Sequence, residues 1–397
     1  MDLGHFPGSG DGGLGLGRTS RARVSQAHGR ESECAGKRGR LTVSDTRYLL
    51  ELLGIRLPII QAPMAGVSSP AMAAAVTGAG GLGSVAVGAL KPSDARSMIL
   101  EARERSGGAL NVNLFCHRPA ATRPEVEADW IERFRPLFEQ LGASPPDRLT
   151  EIYRSVVEDE EMLAMVLEAR PPVVSFHFGL PGAAAIRALR NAGIVLLASV
   201  TSPAEASQAA AAGVQVLVAQ GWEAGGHRGA FDPDAPDDAI GTLALTRLLA
   251  RTIDLPIVAA GGIMDGAGIA AALKLGASAA QLGTAFIATD ESLADQAYRA
   301  ALASDSGLHT TMTRAVSGRP ARGLANGFTR LGSDIAPARI PDYPIAYDLG
   351  KALHAAAKRR GEFGFGAHWA GQGAPLARAL PAARLVDLLA LELQQAF

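Results

Sequence analysis

Three glycine-rich segments carry the clearest chemistry in this 397-residue chain: Gln220-Gly-Trp-Glu-Ala-Gly-Gly-His-Arg-Gly229, Ala260-Gly-Gly-Ile-Met-Asp-Gly266 and Gln281-Leu-Gly-Thr-Ala-Phe286. Each follows a short apolar run, and a helix-like stretch follows the last two. Strand, glycines, then helix is how a backbone presents bare amides to a phosphate. The missing Cβ admits the ligand, and the helix N-terminus favours negative charge. Two such units in succession, with a third glycine-rich strand end just before them, point to one bound phosphorylated cofactor.

Polar residues gather at other strand-like ends. In Gln61-Ala-Pro-Met-Ala-Gly-Val67 a proline and a glycine surround Met64. That turn serves equally as a plain strand-to-helix connection or as a seat whose amides meet a ring system. In Leu110-Asn-Val-Asn-Leu-Phe-Cys-His117, alternation puts Asn111 and Asn113 on one face, as cofactor contacts or as satisfied core amides. Cys116 and His117 point to opposite faces of a strand, which argues against a Cys–His catalytic pair. In Ser175-Phe-His-Phe-Gly-Leu-Pro181, His177 lies between two phenylalanines. Burial there would leave its imidazole neutral and ready to accept a proton. A lone histidine on an apolar surface is more often structural; a place at a barrel mouth favours general-base work.

Other readings are weaker. Glu223 and Arg228 read either as substrate contacts or as solvated loop charges. His227 has no second ligand at metal spacing, so no metal site is expected. There is no Gly-x-Ser-x-Gly elbow and no P-loop lysine. The glycines after the seventh apolar run lack the spacing of a dinucleotide fold.

Positioning these residues requires a regular frame. Eight apolar runs read as strands, at 57–60, 81–85, 110–114, 173–176, 195–198, 216–219, 257–260 and 279–282. Helical stretches at 70–77, 93–105, 182–190, 203–211, 243–251 and 266–275 separate most of them, several opening on Pro or following Ser, Thr or Asp. Uninterrupted apolar strands linked by helices mean a parallel sheet covered on both faces, and eight units favour an α/β fold of the (β/α)8 TIM-barrel type. The barrel is expected over 44–117 and 171–289. Residues 118–170, with helices at 126–141 and 151–169, and the mostly helical 290–397 are expected to pack together as a helical cap beside the mouth.

Composition bounds the function. Hydrophobic residues make up 48% and the formal net charge is −1, which fits a soluble globular chain and argues against a nucleic-acid surface. No apolar stretch is long enough to span a bilayer, and the N-terminus has no signal-peptide core. Two cysteines, Cys34 and Cys116, suggest no disulfide framework, so a reducing cytoplasm is the default. Residues 1 to about 43, rich in Gly, Ser and Arg, read as a disordered extension.

These motifs resemble the nitronate monooxygenase family, formerly 2-nitropropane dioxygenases, and specifically its class I members. The matching segments are residues 61–70 with 79–83, 111–117, 175–181, 220–229 and 260–284, joined by Trp369-Ala-Gly-Gln-Gly373. The resemblance runs from about residue 46 to the C-terminus. It implies a TIM barrel that binds FMN without a metal. Met64, Asn113, Gln220, Gly225, Gly262, Gln281, Leu282, Gly283 and Thr284 stand where the family contacts FMN, Asn111 being the alternative to Asn113. His177 stands where the family has its catalytic base. The implied reaction is oxidation of alkyl nitronates by O2 to a carbonyl compound and nitrite through a flavin semiquinone, extending to nitroalkanes such as 3-nitropropionate. An FMN-dependent NAD(P)H reductase on the same barrel, acting on an enoyl-thioester or a quinone, is the alternative. A monomer and a homodimer are equally compatible with the Ala-rich outer helices.

Overall fold

The computed structural model describes residues 43–397, so the extension expected over residues 1 to about 43 lies outside the described residues. Eight parallel strands form the frame: β1 Ile59–Gln61, β2 Gly83–Ala86, β3 Leu110–Phe115, β4 Val173–His177, β5 Val195–Val200, β6 Val216–Gln220, β7 Ile257–Ala260 and β8 Ala279–Leu282. Their order is β1-β8-β7-β6-β5-β4-β3-β2, and a bridge between Ile60 and Leu82 joins the two ends into a closed barrel. The strands at 257–260 and 279–282 stand where the apolar runs put them, and the other six differ at their ends by a residue or two. Closure explains their apolar character. Each strand packs inward on the barrel interior and outward on helices, so neither face tolerates a free charge.

The two ends of the barrel differ. At the N-terminal end, Leu49 and Leu53 of helix Val43–Leu53 pack with Ile60, Leu82, Val173 and Val216 and seal the bottom. Higher in the interior, Gln61 Nε2 donates to Ser68 Oγ at 2.9 Å while its Oε1 accepts from the Ser84 amide at 2.8 Å. Asn111 Nδ2 donates to Ser84 Oγ at 3.1 Å. This buried polar layer is the floor of whatever binds above it.

Outside the barrel two expectations change. The helix expected over 151–169 begins only at Glu160, where the Asp159 side chain accepts from the Met162 amide at 2.9 Å and caps it. Residues ahead of the cap fold back on β3 instead, with the Val156 amide donating to the Phe115 carbonyl at 3.0 Å. The region 290–397 is not all helix. Strands Thr310–Thr313 and Ala321–Leu324 form a hairpin around the turn at Ser317–Pro320, and Gly226–His227 adds a third antiparallel strand. The β-branched run at 310–313 explains the preference for strand there.

Trp130, Phe134 and Phe138 of helix Pro124–Gln140 pack against Phe328, Leu349 and Leu353, so the insertion after β3 meets the C-terminal region. Helices Glu160–Ala169 and Ala382–Gln395 lie elsewhere, on the barrel wall. The first packs on Pro92–Ser106 and the second on Pro70–Ala79 and Gly266–Leu275.

Helix Gly266–Leu275 follows β7, where sequence spacing suggested an anion site. Its N-terminus is already occupied by carboxylates: Asp265 Oδ1 accepts from the Gly268 amide at 2.8 Å, and Glu392 Oε2 from the Gly266 amide at 2.9 Å. Asp265→Ala is expected to cost about 1 kcal/mol, the usual value of an N-cap, measured by denaturant unfolding.

Candidate active site

The C-terminal ends of the strands open into a cavity of about 1330 Å³, counting the space open to solvent. In a TIM barrel this is the end where loops build the reaction site. One side is backbone. Gly261 and Gly262 have φ of 128° and 69°, conformations that side-chain-bearing residues avoid. The amides of Gly262, Ile263 and Thr284 make no hydrogen bond within the described residues. Thr284 begins the short helix Thr284–Ile287, and its Oγ1 accepts from the Gly371 amide at 3.0 Å. That bond ties the end of β8 to the segment 369–373. With the helix after β7 capped by carboxylates, the glycines after β7 and the start of Thr284–Ile287 are the open amide cradle.

The opposite side is aromatic and imidazole-rich. Phe115, Tyr153, His177, Phe178, His227, Tyr343, Tyr347 and Trp369 line it. His177 ends β4, beside Phe115 of β3 in register. Its Nε2 lies 3.1 Å from the His227 carbonyl, and a carbonyl only accepts, so Nε2 carries the proton and Nδ1 the lone pair. A Cβ at Gly229 would stand 2.9 Å from Cε1 and 3.3 Å from Nδ1, so only glycine fits beside that ring edge. Burial, reinforced by the Arg319 guanidinium, pushes His177 down to about 4. His227 is held well below the ordinary imidazole range for the same reasons, with His177 adding to them. Both rings are neutral at pH 7. Burial raises Tyr298 and Tyr343, so their hydroxyls stay protonated.

Most of the residues expected from the sequence reach this cavity. Met64, Asn113, His177, Gln220, Gly225, Gly262, Gln281, Gly283 and Thr284 all line it. Leu282 does not. It is 1% exposed and packs into the outer core, because Gln281 faces inward and alternation turns the next residue out. Asn111 also stays below, in the polar floor, while Asn113 Nδ2 donates to Ser175 Oγ at 3.0 Å at the cavity level. Gln220 lines the cavity, but its amide holds the loop beyond it. Nε2 donates to the His227 carbonyl at 3.0 Å, and Oε1 accepts from the Gly229 amide at 2.7 Å.

Neither Glu223 nor Arg228 lines this cavity, and both are engaged by neighbouring protein groups. Glu223 Oε2 accepts from the Thr242 amide and hydroxyl at 2.7 and 2.8 Å. Arg228 is 3% exposed, pairs with Asp237 at 2.7 Å and donates to the Gln220 carbonyl. Cys116 and His117 are both buried, and neither lines the cavity.

The tyrosines went unread in the sequence. Four of the five in the chain, Tyr153, Tyr298, Tyr343 and Tyr347, line the cavity. The available signal was their scarcity: aromatic residues make up 5% of the chain, and these four fall in the two stretches outside the strand repeat.

Comparison with known proteins agrees with this geometry. A family model described as nitronate monooxygenase matches residues 46–392. The chain is 60% identical over 349 residues to nitronate monooxygenase of Paraburkholderia phytofirmans, covering 88% of this chain and 95% of that protein. It is 54% identical over 351 residues to nitronate monooxygenase of Pseudomonas aeruginosa, covering 88% and 99%. The solved structure of nitroalkane oxidase from Streptomyces ansochromogenes matches with a TM-score of 0.80 at 42% identity, covering 88% of this chain and 98% of that one. The chain, an oxidoreductase built on a TIM barrel, belongs to the nitronate monooxygenase family.

Proposed function

We propose that the chain is an FMN-dependent enzyme that oxidises alkyl nitronates, and the nitroalkanes that ionise to them, with O2 to a carbonyl compound and nitrite. The observation that carries this reading is the neutral His177 imidazole, facing a cavity whose other wall is open backbone amide. The donor set fits a phosphorylated flavin. Gly262, Ile263 and Thr284 offer amides for a phosphate, while Met64, Asn113, Gly225, Gln281 and Gly283 surround the space for a ring. When bound, FMN supplies the electron acceptor that no side chain here provides.

The chain's own residues handle the proton and the water. With a neutral nitroalkane, His177 Nδ1 takes the proton from the carbon bearing the nitro group, while the His227 carbonyl holds Nε2–H and fixes the tautomer. A preformed nitronate arrives without that proton and needs no base. Tyr153, Phe178, Tyr343, Tyr347 and Trp369 present ring surface to the alkyl group and keep bulk water from the site.

Gly225→Ala tests the cofactor seat. A Cβ there would fall 2.4 Å from the Gly371 amide nitrogen and 2.6 Å from the Ala370 carbonyl carbon, forcing the loop after β6 away from segment 369–373. Overpacking of this kind costs about 1–3 kcal/mol, so FMN affinity falls by roughly 5–150-fold, read by flavin fluorescence titration. Gly226→Ala is no neutral control, since its φ is 78°.

The deciding experiment is an anaerobic visible spectrum of the purified protein before and after an alkyl nitronate, with NADH added in parallel. Loss of flavin absorbance with the nitronate and none with NADH is expected. Bleaching by NADH alone would move the reading to the reductase, and a protein that takes up no flavin would end both.

A further inference from the structure

Arg319 is 2% exposed and has no role in the proposed chemistry. Its Nη2 donates to the Ala230 carbonyl, and its Nε has no partner within the described residues. A buried charge without a counter-ion costs several kcal/mol. What faces it is a ring: the guanidinium carbon lies 4.3 Å from the Phe178 centroid. Such a contact is worth about 2 kcal/mol when desolvated, which offsets only part of that cost.

Phe178 is itself held at a φ of 73°, in the left-handed region that bulky residues rarely adopt. Local strain of this kind persists where surrounding structure imposes it, and it clusters at functional sites. The strained ring is the hub of an imidazole cluster. Its centroid lies 4.4 Å from that of His177, 5.6 Å from His227 and 6.2 Å from His117.

The other charges around this cluster have partners of their own. Arg228 pairs with Asp237, and Arg118 and Arg314 share Asp234. Glu205 accepts from Thr201 and from the Phe231 amide, and its charge acts on Arg319. Tyr343, which packs on Phe178, His117 and His227, is protonated. Lys351 lies over Tyr153 and Tyr347 on the far wall, with Asp348 acting on it. Arg319 makes no ion pair among the described residues, and it is the cation that acts on all three imidazoles.

We infer that Arg319 is a positioning residue for the reaction: from behind the Phe178 ring, without touching substrate, its fixed charge keeps the imidazole cluster neutral and the His177 lone pair free. A second positive charge among these rings would have to form against the first, in a largely buried site. Burial is the largest cause at each of the three rings, Arg319 adds to it at all three, and Arg228 adds to it at His177. The base thereby stays unprotonated at pH values where an ordinary imidazole would be charged.

The inference deepens the proposed role of His177, and its test separates the two. Histidine-labelled, flavin-loaded enzyme is titrated by NMR as wild type, Arg319→Met and Arg319→Lys, and the acid limb of kcat/KM is recorded on a neutral nitroalkane. Arg319→Met, apolar and of similar length, is expected to raise the titration of the cavity imidazoles by about 1 unit and to move the acid limb up with it. Arg319→Lys restores both towards wild type. A folded Arg319→Met enzyme with unchanged titrations overturns the inference. Arg319→Gln, which keeps a donor for the Ala230 carbonyl, replaces the Met variant should that one not fold. Wild-type imidazoles that titrate near the ordinary ~6.5 overturn it without any variant. The NMR titration reads Arg319 whether or not His177 proves to be the base.

Discussion

Replacing His177 with alanine is expected to lower kcat/KM on a neutral nitroalkane by roughly 10²–10⁴, the usual range for a positioned general base. On the preformed nitronate of the same compound the loss is expected to be much smaller, since that substrate has already given up its carbon-bound proton. The asymmetry matters more than the size. His177 also touches Phe178 and holds the His227 carbonyl, so a purely structural disturbance would lower both rates together. Steady-state kinetics on the matched pair, with flavin content equalised, makes the comparison. Equal losses would remove His177 from the role of base and leave it a wall of the cavity.

Acidification is expected to unfold this protein earlier than its carboxylates alone would require. Among the described residues five imidazoles are held low, chiefly by burial, and three of them are His117 at about 3 and His177 and His368 at about 4. In the unfolded chain each returns to ~6.5. The sign follows from proton counting. Below pH 6.5 the unfolded chain binds protons that the native rings refuse, so stability present above the unfolded value is lost as pH falls towards the folded values. Between pH 6.5 and 4.5 each of these three rings contributes a loss of about 2 kcal/mol, so together they remove roughly 6 kcal/mol. That is a large fraction of the 5–15 kcal/mol typical of a native domain.

His117 isolates the effect. Both of its ring nitrogens are buried without a partner within the described residues, and it does not line the cavity. His117→Leu should therefore flatten the fall in denaturation free energy over this window by about 2 kcal/mol. A stability profile flat from pH 6.5 to 4.5 in the wild type would contradict the whole account.

The barrel was legible because each of its strands repeats one physical problem. A strand buried on both faces must be apolar throughout, and the helix that follows must start and stop at recognisable residues. Pro70, Pro203 and Asp265 open or cap their helices as their residue types suggest. Outside the repeat that logic weakens. Residues 151–159 could continue a helix by composition, and what stops them is a long-range bond from the Val156 amide to the Phe115 carbonyl. The hairpin at 310–324 likewise depends on a partner strand, Gly226–His227, some eighty residues earlier in the chain.

At the site, the sequence by itself determined which backbone segments would be glycine and which strand would end in His177. Those are local requirements: a φ that only glycine adopts readily, and one side chain at one strand end. It could not show that Gln220 spends its amide on its own loop, that Leu282 turns away from the cavity, or that Asp265 and Glu392 already occupy the obvious anion site. Nor could it gather Tyr153, Tyr298, Tyr343 and Tyr347 around one space, or set Arg319 behind Phe178. Those facts belong to tertiary structure, because hydrogen-bond partners, burial and the field of a charge depend on distance in space, which closing the barrel fixes and chain spacing does not.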